Sequence, residues 1–105
     1  MSEPEFSARG VRIERWPRSL TRAGQILIQD GRLALLNSYG RVIDSAPVRA
    51  VRADRPWFAG DGSMVATVNG TRYRLTMGQR GRRPDARALA GRFLDAVGRA
   101  GGQKD

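Results

Sequence analysis

With 105 residues, a hydrophobic share of 40%, no cysteine, no histidine and a formal charge of +9, the chain has the length of one small domain. A fold of this size buries roughly 65% of the surface that its unfolded chain exposes, which suffices for one core and excludes two. Without Cys and His there are no disulfides, thiolate nucleophiles, imidazole bases or ordinary Cys/His zinc sites.

The basic surplus is almost wholly arginine: Lys104 is the only lysine among 19 basic residues, set against 10 carboxylates. A guanidinium donates hydrogen bonds in pairs and suits phosphate or carboxylate recognition, whereas a GC-rich genome produces the same bias with no function attached. Arginine runs from Arg9 to Arg99, so position in the fold has to separate the two readings.

Residues 1–10 show no periodicity and are expected to be a disordered tail. They carry Glu3 and Glu5, unlike the basic region and apolar stretch of a secretory leader. No apolar run approaches the roughly 20 residues that cross a bilayer, and a cytoplasmic protein is expected. One domain is expected over residues 11–100.

From residue 11 to residue 77, short β-type runs alternate with turn dipeptides. A first strand is expected at 11–16. Asp30-Gly31 suits a two-residue hairpin loop because such a turn needs positive φ at both positions. With it as the loop, Ile28 faces Leu33 and Ile26 faces Leu35, which puts four apolar side chains on one side. Tyr39-Gly40 is the bend into a strand at 41–45, and another strand is expected at 48–52, with Pro47 at a strand start or edge. Residues 54–62 hold an aromatic pair among proline, glycine and aspartate and read as a loop or short irregular strand. Asn69-Gly70 is the second hairpin loop. It pairs Val68 with Thr71, Ala66 with Tyr73 and Met64 with Leu75 toward the core, while Thr67 meets Arg72 and Val65 meets Arg74 on the solvated face.

The period then changes. Ala86, Leu89, Ala90, Phe93, Leu94 and Val97 recur at the i, i+3, i+4 spacing of an amphipathic helix, expected over about 84–99. Pro84 and Asp85 fit its first turn, and Gly98, Gly101 and Gly102 supply the stop. Burying Leu89, Phe93, Leu94 and Val97 contributes about 1.5 to 3 kcal/mol each, so the helix has to dock on the sheet. Residues 101–105 are expected to be a second disordered tail.

This order of elements, with the hairpin Gly24-Gln25-Ile26-Leu27-Ile28-Gln29-Asp30-Gly31-Arg32-Leu33 followed by Gly40-Arg41-Val42-Ile43-Asp44-Ser45-Ala46-Pro47-Val48, resembles bacterial pleckstrin-homology-like (PH-like) and GRAM-like domains. The resemblance implies a mainly β chain with one C-terminal α-helix: an antiparallel β sandwich or partly open barrel capped by that helix. It places the loop between the first two strands at residues 17–24, with Arg15, Arg18 and Arg22 near it. Their spacing departs from the Lys-x(n)-Lys/Arg-x-Arg pattern of phosphoinositide-binding members. Many PH-like domains bind protein instead, so function has to be argued from sites.

The densest charge is Gln79-Arg80-Gly81-Arg82-Arg83, directly before the helix, in a stretch from residue 62 to residue 83 without an acid. Helix N-termini attract anions, so Arg80, Arg82 and Arg83 are candidate anion ligands, as against a solvated Gly/Arg loop. Alternation puts Arg72 and Arg74 on the outward face of the last hairpin, where the five arginines together would make one strip, as against an ordinary solvated sheet face bearing arginine. Trp16, Trp57 and Phe58 are the remaining large aromatics; Trp57 and Phe58 beside Arg55 are a possible contact for a nucleobase or a membrane interface, or plug the end of the sandwich.

Enzyme signatures are missing: no phosphate loop, no nucleophile elbow and no histidine for a triad. Asp30, Asp44, Asp54 and Asp61 stand apart, and no cofactor or metal is called for. The expectation is a non-catalytic interaction module that binds an anionic or peptide partner, protein or membrane surface, through its arginines. A nucleic-acid-binding β module is the alternative. Nothing in the sequence sets an oligomeric state.

Overall fold

The computed structural model describes residues 4–15, 18–55, 63–77 and 83–104; side chains are described within these except for 83–86 and 104. The elements, in chain order, are β1 (Phe6–Arg15), β2 (Arg18–Gln29), β3 (Arg32–Leu36), β4 (Val42–Pro47), a turn of 3-10 helix (Val48–Ala50), β5 (Arg52–Asp54), β6 (Ser63–Val68), β7 (Thr71–Thr76), α1 (Arg83–Arg99) and a short β8 (Gln103–Lys104).

Both hairpins form as the turn chemistry dictates. Asp30 and Gly31 take φ of 53° and 73°, Asn69 and Gly70 of 52° and 78°, the left-handed pair that matches strand twist. Ile28 pairs with Leu33 and Ile26 with Leu35. Val68 pairs with Thr71, Ala66 with Tyr73 and Met64 with Leu75, while Thr67 meets Arg72 and Val65 meets Arg74.

The first strand starts at Phe6, not at residue 11, so the expected N-terminal tail gives way to strand over its second half. Gly10, with φ of 67°, lies at a register shift between Arg9 and Val11. This bulge moves the inward parity from Phe6 and Ala8 to Val11 and Ile13, breaking the alternation that marks a strand in sequence. The expected loop at 17–24 is likewise largely strand, since β2 begins at Arg18.

The expected strand at 48–52 is also corrected. Pro47 has no N–H to extend a ladder, and Val48 donates to the Gly31 carbonyl at 2.8 Å while its own carbonyl accepts from Val51. The resulting 3-10 turn buries Val48 and Val51 together, three residues apart as its period requires.

The strands form one sheet in the order β4-β3-β2-β1-β7-β6-β5-β8, antiparallel throughout except for the β5–β8 pair. Four to five strand spacings, roughly 20 Å if flat, separate β4 from the β6–β7 turn. Yet the Asn69 side-chain amide lies 2.9 Å from the Ser45 carbonyl oxygen. The sheet therefore folds over on itself, and the inner residues of both halves join one core with α1.

Helix α1 buries Ala90, Phe93, Ala96 and Val97, with Leu89 and Leu94 partly covered. The Phe93 ring meets Phe6 edge to face at 5.5 Å. At its C-terminus the Gly102 N–H donates to the Val97 carbonyl and the Gly101 N–H to the Gly98 carbonyl, the paired bonds of a Schellman ending. That ending aims Gln103 at β5, where its N–H donates to the Val51 carbonyl at 3.0 Å. Strand β8 thus replaces part of the expected C-terminal tail.

Candidate functional site

The inward side chains of β7 are Tyr73 and Leu75, both buried, so Arg72 and Arg74 face solvent. Register places Arg72 beside Thr67, which in turn neighbours Arg52, and Arg74 between Glu14 and Val65. Among the described residues two acids occupy this outward face, and each is engaged by an arginine on its own strand: Arg12 Nε lies 3.5 Å from Glu14 Oε1, and Arg52 Nε 3.4 Å from Asp54 Oδ1. Among the described residues Arg72 and Arg74 have no ion-pair partner. Arg83 is the first residue of α1; its side chain, and all of Arg80, Arg82, Trp57, Phe58 and Trp16, lie outside what is described.

Antiparallel order brings the β1–β2, β3–β4 and β6–β7 connections to the other end of the strands from the Asp30-Gly31 turn. In the β3–β4 loop the Asn37 side-chain carbonyl accepts from the Tyr39 and Arg41 N–H groups at 2.9 and 3.0 Å. That loop projects Tyr39, 88% exposed, with Val42, 58% exposed, at the start of β4.

Between this loop and the β6–β7 turn lies a polar cluster that sequence reasoning missed. Asp44 accepts from the Tyr73 hydroxyl at 2.7 Å through one oxygen, and from the Asn69 amide at 2.7 Å and the Ser45 N–H at 2.9 Å through the other. In the sequence Asp44 reads as an isolated carboxylate and Asn69 as a turn residue only. Nothing local signals that they meet.

No family model matches the chain, and no curated protein does. Among solved structures, it matches the solution structure of the pleckstrin homology domain of mouse ethanol decreased 4 protein at a TM-score of 0.65, with 10% identity, over 96% of this chain and 90% of that one. The chain has the PH-like fold. The resemblance seen in the order of elements and the capping C-terminal helix is therefore a resemblance of architecture. No helix among the described residues of this PH-like chain is long and apolar enough to cross a membrane, and no described group of His, Cys, Asp or Glu is placed to hold a metal.

The polar cluster has an electrostatic signature. Burial, then the hydrogen bond to Asp44 and its negative charge, push the Tyr73 hydroxyl up from 10.0 to about 12, against a smaller opposing pull from Arg15. A pKa raised on folding stabilises the native state below the unfolded value, and that contribution disappears as pH rises from about 10 to about 12. Two units correspond to roughly 2 to 3 kcal/mol. Stability measured by urea titration between pH 9 and 12 should therefore fall less steeply for Tyr73→Phe than for the intact chain. Identical slopes would remove Tyr73 as the source.

Proposed function

We propose that the chain is a non-catalytic interaction module, one PH-like domain centred on residues 11–100, that binds an anionic partner, protein or membrane surface, through an arginine-rich face. In this reading Arg72 and Arg74 carry that face on β7, and Arg80, Arg82 and Arg83, which follow β7 in the chain, add their charge to it. PH-like folds generally serve as interaction modules without catalysis, which fits a chain without histidine or cysteine. A cytoplasmic setting belongs to the same reading.

The observation that carries the proposal is the distribution of acids on the outward face. Glu14 and Asp54 are taken by Arg12 and Arg52, so Arg72 and Arg74 present charge that an incoming anion can use. A guanidinium with no carboxylate partner binds phosphate or carboxylate without first giving up an ion pair. An extended peptide joining a sheet edge fits less well. At one edge β8 has two residues, and at the other the Ser45 N–H and carbonyl are occupied by Asp44 and Asn69.

The test is binding to heparin or to vesicles containing an anionic lipid across a salt series. Replacing Arg80, Arg82 and Arg83 together by Gln should weaken binding and flatten its salt dependence, because fewer counterions are released per complex. Unchanged affinity and slope would take these three out of the face. A parallel Arg72→Gln, Arg74→Gln variant reads the β7 contribution separately.

A further inference from the structure

An open sheet ends in two edges, and an edge strand with unpaired backbone groups is a template for another strand. Strand β4 is the longer terminal strand of this sheet. Which of its groups face outward follows from the register. A two-residue turn at Asp30-Gly31 makes Gln29 and Arg32 a hydrogen-bonded pair, so the alternation assigns Leu27 with Ala34 to the β2–β3 ladder, and Leu33 with Ala46 and Leu35 with Asp44 to the β3–β4 ladder. Ser45 then points its N–H and carbonyl away from β3, toward the open edge.

Neither group is available there. The Ser45 N–H donates to Asp44 Oδ1 at 2.9 Å, and the Ser45 carbonyl accepts from Asn69 Nδ2 at 2.9 Å. The next outward position is Pro47, which has no N–H. Asp44 is itself held by the Tyr73 hydroxyl from the opposite half of the sheet, at 2.7 Å. Side chains therefore close the seam between β4 and the β6–β7 hairpin, where no β4–β6 or β4–β7 strand pair exists.

We propose that Asp44, Asn69 and Tyr73 form a clasp that closes the β4 edge against pairing with the β4 edge of a second copy of this chain, and so keeps the protein monomeric. A second copy is the natural occupant of an unclasped edge, because two antiparallel β4 strands related by a two-fold axis present the same groups to each other. Asn69 has two tasks in this arrangement. Its backbone, at φ of 52°, shapes the hairpin, and its side chain covers the neighbouring edge. Glycine at this position keeps the first task and loses the second, which separates the clasp from the turn. The inference stands apart from the identity of the anionic partner.

The experiment is sedimentation equilibrium over a protein concentration series at about 0.3 M salt, which screens repulsion between two highly charged copies. Two backgrounds are compared with the intact chain: Asn69→Gly, and a triple variant adding Asp44→Ala and Tyr73→Phe so that no buried hydroxyl is left unpaired. The intact chain should remain monomeric. Asn69→Gly, which frees the Ser45 carbonyl while Asp44 still holds the N–H, should dimerise weakly and reversibly, and the folded triple variant, which frees both groups, should do so with a dissociation constant lower again by on the order of tenfold. Adding Ser45→Pro, which removes the outward N–H and leaves the β3 ladder intact, should abolish association in both. If the triple variant does not fold, Asn69→Gly decides alone. Folded variants that stay as monomeric as the intact chain would overturn the proposal, as would association that survives Ser45→Pro or an intact chain that dimerises through β4.

Discussion

Replacing Phe93 with alanine should lower folding stability by about 3 to 5 kcal/mol. The ring is fully buried and heads the largest side chains of the core. It is also the residue through which α1 grips the sheet, since its edge-to-face contact at 5.5 Å is with Phe6 at the start of β1. Truncation removes the transfer energy of the ring and that aromatic contact together, and the rigid sheet beneath cannot collapse to fill the space. A urea titration measures the effect directly. A loss below about 1 kcal/mol, the ordinary size of a point-mutant effect, would mean that α1 does not rest on the sheet as described.

The second large effect should come from the smallest possible change. Gly24→Ala adds one methyl group, which would stand 2.6 Å from the Leu36 carbonyl oxygen, 2.6 Å from Thr21 Cγ2 and 2.9 Å from Ile13 Cδ1. The Leu36 carbonyl belongs to backbone held in the β2–β3 pairing opposite Gln25, so it cannot swing aside as a side chain would. Overpacking commonly costs about 1 to 3 kcal/mol, and the upper end is expected here. Gly91→Ala on α1 should act in the opposite sense. Among the described residues its added methyl meets only Arg55 Nη2, at 3.9 Å, and alanine is favoured over glycine in a helix interior by about 1 kcal/mol. The two variants, compared in one denaturant experiment, should shift the midpoint in opposite directions; equal tolerance at both sites would contradict the close approach of Gly24 to the Leu36 carbonyl.

Much of the architecture is legible in the residues because the forces that set it are local. Asp30-Gly31 and Asn69-Gly70 dictate their own turn, and the turn dictates every pairing in its hairpin. The apolar stripe from Leu89 to Val97 specifies the buried face of α1 in the same way. What escapes is wherever one residue breaks a period. Gly10 shifts the parity of β1 between Ala8 and Val11, so the strand is hidden from a search for alternation. Arg18 to Gly24 hides a strand because its inward residues are Thr21 and Gly24, neither of which reads as core. Val48 and Val51 look like a strand until their three-residue spacing is seen to fit a 3-10 turn.

The candidate site divides along the same line. Alternation alone places Arg72 and Arg74 outward, and it does so correctly. Each of Glu14 and Asp54 is engaged by an arginine two residues earlier on its own strand; that these acids share a face with Arg72 and Arg74 depends on strands far apart in sequence. The Asp44 cluster is less accessible still, since Asn69 lies 25 residues and Tyr73 29 residues beyond it. No periodicity spans such gaps; only the folding-over of the sheet brings the three together.

The proposed recognition of an anion on the β7 face makes a prediction residue by residue. The most direct measurement is the change in backbone amide shifts by NMR as the isotopically labelled protein is titrated with a short heparin oligosaccharide at about 150 mM salt, where nonspecific attraction is largely screened. Saturable changes should be largest at Arg72, Arg74 and the adjacent Thr67, extend through Arg80, Arg82 and Arg83, and shrink in the Arg72→Gln, Arg74→Gln variant. Changes confined to the outward face of β2 and β3, or no saturation at any accessible concentration, would contradict an anion-binding face on β7.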